Sequence, residues 1–456
     1  MAIHEASCLN SSSSSDQQAK TTKKKSSPRR WFVLVSGYLI MFLCTGFPFN
    51  VSVINAELLR AFKKSKTETA LVQSIMVGAL YVAGTLCGKS VARYGARVTG
   101  IAGGLLVTLG LVLSFFAQSI PHLIVTLGLV SGIGFSATFI SALTSVGEHF
   151  EGHSKLMALS FLTFGSGCGG ITLPFLLHFL IEEFGWRGCL LITGGLMANI
   201  APFFAVCRQL SVSVQQITEN KSDELNTEAK PEGDGFTKSL RALGKNKVYL
   251  THVVAMCCTL PVINSSLVFM IDFLKTQGFD SETAILLYLY SQIATTVFAL
   301  VPSLCKKYIP HTSVLIIPAY FTLIGSSVTA FLPHADTYAQ FVVLLVCLEM
   351  TLGVSITTIS MTTMKVVGLK DYSAGLGVLM TLIGISGSIA GPIVGLFVDL
   401  TGSYTKPFYG MSAGLGLAAG LFVLAAAIKQ KSKSKQLDND DDITEVVGAV
   451  NPAFSI

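Results

Sequence analysis

Long apolar runs separated by short polar stretches form the dominant pattern of this chain. A helix needs about 20 apolar residues to cross a bilayer, and uncharged runs of about that length occur twelve times. Lipid offers no partners for backbone polar groups, so each run is expected to be helical. The predicted helices 1 to 12 cover residues 31–54, 68–88, 98–117, 122–145, 156–181, 187–207, 249–271, 283–304, 312–333, 338–360, 373–398 and 406–428.

One long polar interruption divides this pattern. Residues 208–248 include the run TENKSDELNTEAKPEGDG, which has no apolar period and predicts a linker. The predicted fold class is therefore an all-α polytopic membrane protein with twelve transmembrane helices in two six-helix halves. Its expected parts are a disordered N-terminus at 1–30, a first half at 31–207, the linker at 208–248, a second half at 249–428 and a tail at 429–456.

Basic residues flank the first and last helices. Six lysines and arginines lie between Lys20 and Arg30, and four lysines lie between Lys429 and Lys435. Since cytoplasmic flanks carry an excess of Lys and Arg, both termini are predicted to be cytoplasmic. The linker then lies on the same side.

Composition narrows the class of protein. Only 13% of residues are charged and the mean hydropathy is +0.62, whereas soluble domains are about 25% charged. A soluble enzyme is therefore excluded. The net charge of +6 comes from residues at the termini and in loops, so no nucleic-acid partner is expected. The eight histidines are scattered and no C-x-x-C pair occurs; we predict no enzyme activity, no cofactor and no metal site.

The stretch between predicted helices 2 and 3 carries a recognisable motif. Gly88, Arg93, Gly95 and Arg97 are spaced as in the loop signature of the major facilitator superfamily, which this stretch resembles. Ala92 stands where that signature has an acidic residue. The resemblance implies a loop that braces the cytoplasmic gate by charge pairs, and the missing acid weakens that expectation.

A second resemblance covers helices 5 and 11. The segment from Asp371 to Phe408 contains a G-P-x-x-G at Gly391 and a D-x-T-G-x-Y at Asp399, and it resembles helix 11 of the monocarboxylate transporter family. The start of helix 5, from Phe150 to Gly167, resembles that family's second signature. The resemblance implies alternating access to a central site, and it implies a possible single-span accessory glycoprotein as a partner.

The chain departs from this family where lactate-like acids would bind. Proton-coupled members use a lysine in helix 1 and an Asp/Arg pair in helix 8, and the matching positions here are Phe49, Ala294 and Phe298. No charged residue occurs between Trp31 and Glu57 or between Ala284 and Leu304. We therefore expect a substrate other than a simple carboxylate carried with a proton, such as an amphipathic or zwitterionic solute.

Polar residues inside the predicted helices are candidates for the substrate pathway, because they are costly in lipid unless they serve packing or substrate. Glu349 in helix 10 is the acid placed well inside a span; it is either a proton or cation site or a neutral carboxyl held by neighbours. The other candidates, each with a packing role as the alternative, are Asn50 in helix 1, Asn264 and Ser265 in helix 7, and Tyr288 and Gln292 in helix 8.

Helices 5 and 11 are rich in small residues, which allow close approach of membrane helices. Prolines within them can introduce kinks. The predicted packing and hinge positions are Gly165, Gly167, Pro174, Gly384, Gly391 and Pro392.

These features predict a secondary active or facilitative transporter of a small organic solute, a monocarboxylate or a related amphipathic or zwitterionic compound. It is expected to work by alternating access in the plasma membrane. The alternative is a non-transporting sensor or partner-binding relative of the transporter family.

Overall fold

The computed structural model describes residues 28–63, 66–150, 152–207, 234–309 and 313–450. Within these ranges the protein is built of helices without strands. Ten stretches are long and apolar enough to cross a membrane; one of them, Ser154–Ala205, contains predicted helices 5 and 6. Helix 2 includes the shorter apolar stretch Leu71–Val82. Within the described ranges each of the twelve predicted spans is therefore mainly helical, whereas most of the predicted N-terminus (residues 1–27) and linker residues 208–233 lie outside these ranges.

The first half contains helices 1 to 6. Their elements are Pro28–Asn50 and Ser52–Phe62 (helix 1), Lys66–Val82 (helix 2), Gly84–Phe115 (the end of helix 2 and helix 3), Ile120–Leu123, the π-helical Ile124–Val130 and Ser131–His149 (helix 4), Gly152–Ala198 (helix 5 and most of helix 6) and Ile200–Val206 (the end of helix 6).

The second half follows a short helix, Asp234–Lys245, that packs on the bundle. Its elements are Lys247–Thr276 (helix 7), Ser281–Phe298 and Val301–Tyr308 (helix 8), Ile316–Phe331 with the 3-10 turn Leu332–His334 (helix 9), Tyr338–Val367 (helix 10), Tyr372–Thr401 (helix 11) and Thr405–Val450 (helix 12 and its extension).

Two glycines replace the loops expected between helices 2 and 3 and between helices 5 and 6. Gly95 has φ 83° and ψ 160°, and Gly185 has φ 68° and ψ 172°, with helix on both sides of each. Glycine adopts positive φ without the steric cost that a Cβ brings. The Gly88–Arg97 stretch is thus two helix ends joined at one residue, rather than a loop.

Two predicted boundaries also shift. Helix 1 is extended by Ser52–Phe62, where Arg60 pairs with Glu57 at 2.8 Å; charges are tolerated there because the helix end lies beyond the apolar stretch. The last part of the predicted linker is helical, since Phe236, Leu240 and Leu243 lie on one face and pack against the core.

Side-chain contacts show which helix ends share a side of the bundle. A Cβ on Gly37 of helix 1 would lie 3.0 Å from Val146, and one on the adjacent Gly147 would lie 2.5 Å from Met364 at the end of helix 10. Lys429 of helix 12 donates to the Lys365 carbonyl at 3.0 Å. The start of helix 1 and the end of the apolar part of helix 12 therefore share one side, called here the terminal side.

Candidate functional site

Helices 2 and 11 join the two halves by backbone contact. A Cβ on Gly88 would lie 2.5 Å from the Ser373 carbonyl oxygen, and one on Gly84 would lie 2.7 Å from the Gly377 carbonyl oxygen. Both pairs lie toward the terminal side. Small residues are needed here because the two backbones touch directly.

A group of threonine hydrogen bonds lies within this 2–11 contact. The Thr381 hydroxyl lies 2.8 Å from the Thr85 hydroxyl, accepts from the Thr85 amide at 3.0 Å, and donates to the Val82 carbonyl at 3.0 Å. A Cβ on Gly384, one turn further along helix 11, would lie 2.5 Å from Tyr81. The halves are thus held together here by neutral groups.

Among the described residues, Arg93 and Arg97 of the Gly88–Arg97 stretch lie near an aromatic ring and a thiol. Arg93 is exposed and its guanidinium stacks 5.3 Å from the Tyr94 ring centroid. Arg97 is half-buried, and its charge acts on the Cys207 thiol at the end of helix 6. Neither arginine forms an ion pair with an acid in the described ranges. In the sequence, the signal for this lack of ion pairs is Ala92, which stands where the signature has an acidic residue.

Helices 5 and 8 form the other main contact between the halves. Gly167 of helix 5 faces Thr296 of helix 8, and a Cβ on Gly167 would lie 2.7 Å from the Thr296 methyl carbon. In contrast to the 2–11 contact, the obstacle is a side chain rather than backbone. The glycine therefore accommodates one threonine near the middle of the membrane.

Glu349 lies next to this 5–8 contact, about 17 Å along helix 10 from Tyr338 by helix rise. Its side chain is completely buried. The Thr295 hydroxyl of helix 8 donates to Glu349 Oε2 at 2.5 Å, while Oε1 has no hydrogen-bond partner in the described ranges. Gly353, one turn further, lets helices 8 and 10 touch at the Thr295 carbonyl. Thr295 was not among the predicted residues, although it lies three positions after Gln292.

Two further predicted residues belong to this group. Tyr288 of helix 8 interacts electrostatically with Glu349 and lies one turn before Gln292 on the same helix. Both side chains are half-buried. Tyr288, Gln292, Thr295 and Glu349 thus form one polar cluster in the second half, called here the Glu349 cluster.

Asn50 lies in the first half and is part of a different set of contacts. Its amide donates to the Gly46 carbonyl at 2.7 Å and to the Gly170 carbonyl of helix 5 at 3.1 Å. Thr45 donates to Ser166 at 2.6 Å one turn earlier. Asn50 therefore ties helix 1 to helix 5 at the end of the segment Pro28–Asn50, and its side chain is half-buried.

The polar residues Asn264, Ser265 and Ser266 of helix 7 differ in their hydrogen bonding. Ser265 and Ser266 donate to the carbonyls of Pro261 and Ile263, at 2.8 and 2.7 Å, and so are satisfied within their own helix. Asn264 is half-buried and makes no hydrogen bond to another described residue. Of this pair of predicted residues, Asn264 is the one whose side chain bonds to no other described residue.

The remaining predicted packing positions lie on helices 5 and 11. A Cβ on Gly165 would lie 2.7 Å from Tyr38 of helix 1. Pro174 is half-buried in the part of Gly152–Ala198 that precedes the break at Gly185, and Gly391 and Pro392 lie within Tyr372–Thr401.

A serine motif in helix 12 was missed by the sequence reading. Gly410–Gly414 has the G-x-S-x-G spacing of a serine nucleophile, a motif that needs a strand-to-helix turn. Here the motif lies inside the helix Thr405–Val450, where Ser412 donates to the Ser326 carbonyl at 2.7 Å and no described histidine bonds to it. Ser412 joins helix 12 to helix 9.

The described residues do not supply a metal centre, since they contain no group of three or more metal-ligating side chains. The polar groups near mid-membrane are instead hydroxyls, amides and one carboxyl. Two six-helix halves that meet along helices 2, 5, 8 and 11, with polar side chains at mid-depth, define a membrane transporter of small solutes.

Comparison with known proteins agrees with this class. The family model for the Major Facilitator Superfamily matches residues 31–392. The chain belongs to the Major Facilitator Superfamily. Its fold resembles the crystal structure of the transporter FucP in the outward conformation (TM-score 0.66, 15% identity, 86% of this chain and 98% of that one) and the proton:xylose symporter XylE (TM-score 0.64, 14% identity, 89% and 96%).

Individual relatives show which members of the superfamily this chain resembles. The chain is 28% identical to monocarboxylate transporter 6 of Mus musculus, over 89% of this chain and 88% of the relative. It is 27% identical to monocarboxylate transporter 2 of Homo sapiens, over 86% and 84% respectively. The resemblance to monocarboxylate transporters is therefore confirmed, and transport is favoured over the sensor alternative.

Proposed function

We propose that this protein carries a small organic solute with both an apolar body and a polar or cationic group, past the Glu349 cluster and Asn264, by alternating access. The observation that supports this most directly is Glu349 itself. It is a fully buried carboxyl whose Oε1 has no partner among the described residues. A buried carboxylate without a cation is costly, so the group is neutral in this conformation.

The surroundings of Glu349 suit a cationic or hydrogen-bonding group better than a bare carboxylate. Thr295 occupies one carboxyl oxygen, and Tyr288 and Gln292 add a hydroxyl and an amide. A carboxylate substrate would need a buried lysine or arginine, and helix 1 and helix 8 carry neither between Trp31 and Glu57 or between Ala284 and Leu304. A zwitterionic solute, or a neutral amphipathic one, fits this site better than a simple carboxylate does.

The same carboxyl suggests coupling to protons. When the halves rearrange, Glu349 exchanges its neutral buried setting for one open to water or solute, where it can lose its proton. This makes symport the proposed mode. We place the protein in the plasma membrane with the terminal side facing the cytoplasm, on the basis of the basic residues before helix 1 and after helix 12.

Uptake by the purified protein in liposomes tests this proposal. The solute panel contains lactate and other monocarboxylates, creatine-like zwitterions and aromatic amino acids, each with and without an inward proton gradient. We expect uptake of a zwitterionic or amphipathic solute. Robust pH-driven lactate uptake would contradict the assigned substrate class, and no uptake of any solute would support the sensor alternative.

The role of Glu349 is tested with Glu349→Gln, which keeps the shape and removes the titrating group. We expect the pH dependence of transport to flatten between pH ~5.5 and ~8, a window around a buried carboxyl's range, while the protein remains folded. Glu282→Gln, at the exposed start of helix 8, is the matched control and should keep the wild-type profile. An unchanged profile in Glu349→Gln would assign Glu349 to packing.

A further inference from the structure

A cavity lined by lysines lies at the terminal side, away from the Glu349 cluster. Its volume is about 470 Å³, within the range of small-molecule sites. Four lysines line it: Lys155 at the start of helix 5, Lys306 and Lys307 at the end of helix 8, and Lys365 at the end of helix 10. The first belongs to one half of the protein and the other three to the other half.

Several positive side chains are gathered around this cavity, and Lys155 and Lys306 among them also interact with other groups. Lys306 and Lys429 each lie close enough to Lys365 to repel it, and Lys429 donates to the Lys365 carbonyl at 3.0 Å. Glu148 is the acid that interacts with Lys155. The described residues that line the cavity include no acidic side chain. Bringing the halves together here therefore gathers like charges, which raises the free energy of the closed arrangement.

The rest of the cavity wall is apolar. Met361 and Met364 of helix 10 and Leu156 of helix 5 form it, and Met364 also fills the space over Gly147 of helix 4. A wall of this kind next to several ammonium groups suits a compact anion with several oxygens on a carbon skeleton. Lysine ammonium groups bind phosphate as point charges and do not require the planar geometry that arginine imposes.

The location makes the cavity dependent on conformation. Helix 5 and helix 8 meet at Gly167 and Thr296, and on the terminal side they carry Lys155 and Lys306–Lys307 respectively. Alternating access separates the two halves on this side. The four lysines therefore surround one cavity only while the terminal side is closed, and a ligand that needs all of them favours that state.

We infer that this cavity is a binding site for a phosphate-bearing polyanion that bridges the two halves and holds the terminal side closed. The source of the anion is either a phosphoinositide headgroup in the bilayer or a soluble inositol phosphate, which share the same chemistry. This site is separate from the substrate pathway, and its occupancy is measured without any transported solute.

The test uses the full chain in phosphatidylcholine nanodiscs. One arm adds phosphatidylinositol 4,5-bisphosphate, a second adds soluble inositol 1,4,5-trisphosphate, and a third adds phosphatidylserine at equal total charge. The readouts are the shift in Tm with probe concentration and the rate of disulfide formation in a Thr85→Cys/Thr381→Cys variant, whose positions touch across the closed 2–11 contact. The single-cysteine variants control for the native cysteines.

We expect at least one inositol phosphate probe to raise Tm and speed cross-linking, and phosphatidylserine to do neither. Lys155→Gln and Lys307→Gln, one from each half, should each weaken binding about tenfold, the loss of one charge-assisted contact. Lys370→Gln, exposed on the same side but outside the cavity, should bind as wild type. A lipid-only response assigns the headgroup, and a soluble-probe response assigns the free anion.

Three results would overturn the inference. These are no response to either inositol phosphate probe, an equal response to phosphatidylserine, and unchanged binding in both Lys155→Gln and Lys307→Gln when the variants keep the wild-type Tm without probe. Each leaves the proposed transport function intact, because that function is measured by uptake.

Discussion

The two contacts between the halves of this protein use different chemistry. Among the described residues, the 2–11 contact is made by glycines against carbonyl groups and by the Thr85–Thr381 hydrogen bonds, all of which are uncharged groups. The 5–8 contact has one glycine against one threonine side chain, with a buried carboxyl beside it and four lysines toward the terminal side.

The difference indicates that the two contacts have different roles. Backbone-to-backbone contact has little freedom to adjust, so the 2–11 contact acts as a fixed closure that is either formed or open. On the proposed function and the proposed anion site, the 5–8 contact responds to protons, solute or anions, because its polar groups change their interactions when these bind. Substitutions that distinguish backbone obstacles from side-chain obstacles test this view.

The largest effect is expected for Gly88→Ala. The new methyl would lie 2.5 Å from the Ser373 carbonyl oxygen, and backbone on both sides leaves no side chain to move. Overpacking of this kind costs about 1–3 kcal/mol, so transport and Thr85→Cys/Thr381→Cys cross-linking should both fall sharply. Gly78→Ala on the same helix meets nothing within 4 Å and should resemble wild type; equal loss in both variants would contradict the fixed-closure view.

Gly167→Ala should cause the next largest loss of transport. Unlike the loss in Gly88→Ala, it should be partly restored by a second substitution. Its methyl would press on the Thr296 side chain, so Thr296→Ala in the same chain removes the methyl and hydroxyl that obstruct it. We expect the double variant to recover part of the transport rate. If Thr296→Ala gives no recovery, the two contacts do not differ in the way described.

Thr295→Val should have an intermediate effect. It removes the hydroxyl that donates to Glu349 Oε2, and an unsatisfied buried acceptor costs about 1–3 kcal/mol. We expect a lower Tm and a transport pH profile that moves relative to wild type. Thr295→Ser keeps the donor and is the control; a Valine variant with the wild-type profile would separate Thr295 from the function of the Glu349 cluster.

The smallest effect is expected for Thr381→Val. Hydrogen bonds between membrane helices contribute about 0.6 kcal/mol on average, and the glycine contacts around Thr85 and Thr381 remain in place. The transport rate should therefore change little relative to wild type, with Thr381→Ser as the control. A loss as large as that of Gly88→Ala would show that the hydrogen bonds, rather than the backbone contact, close this side.

Much of the fold follows from local pattern. Apolar length predicts each of the twelve spans, because lipid excludes unpaired backbone groups. The break at Gly95 and the helix over Asp234–Lys245 were not predicted: a positive-φ glycine looks like any other glycine, and the helix depends on packing of Phe236 and Leu240 against the bundle.

The candidate site was predictable only in part. Glu349, Tyr288 and Gln292 stand out because polar groups are rare inside the spans, and the structure brings these three together. Thr295 does not stand out, because threonine is common in membrane helices. Its importance comes from its position on helix 8, opposite Glu349 of helix 10. Asn50 is equally conspicuous in the sequence but lies in a separate set of contacts with Gly46 and Gly170.

By itself, the sequence of this protein determined the number of spans, the two halves and the scarcity of charge in the membrane, because these depend on properties that add along the chain. Tertiary structure alone decided which small residues touch, that Glu349 has one partnered and one unpartnered oxygen, and that lysines far apart in sequence share one cavity. Such features depend on distances between helices, and the residues that set those distances are ordinary glycines and threonines.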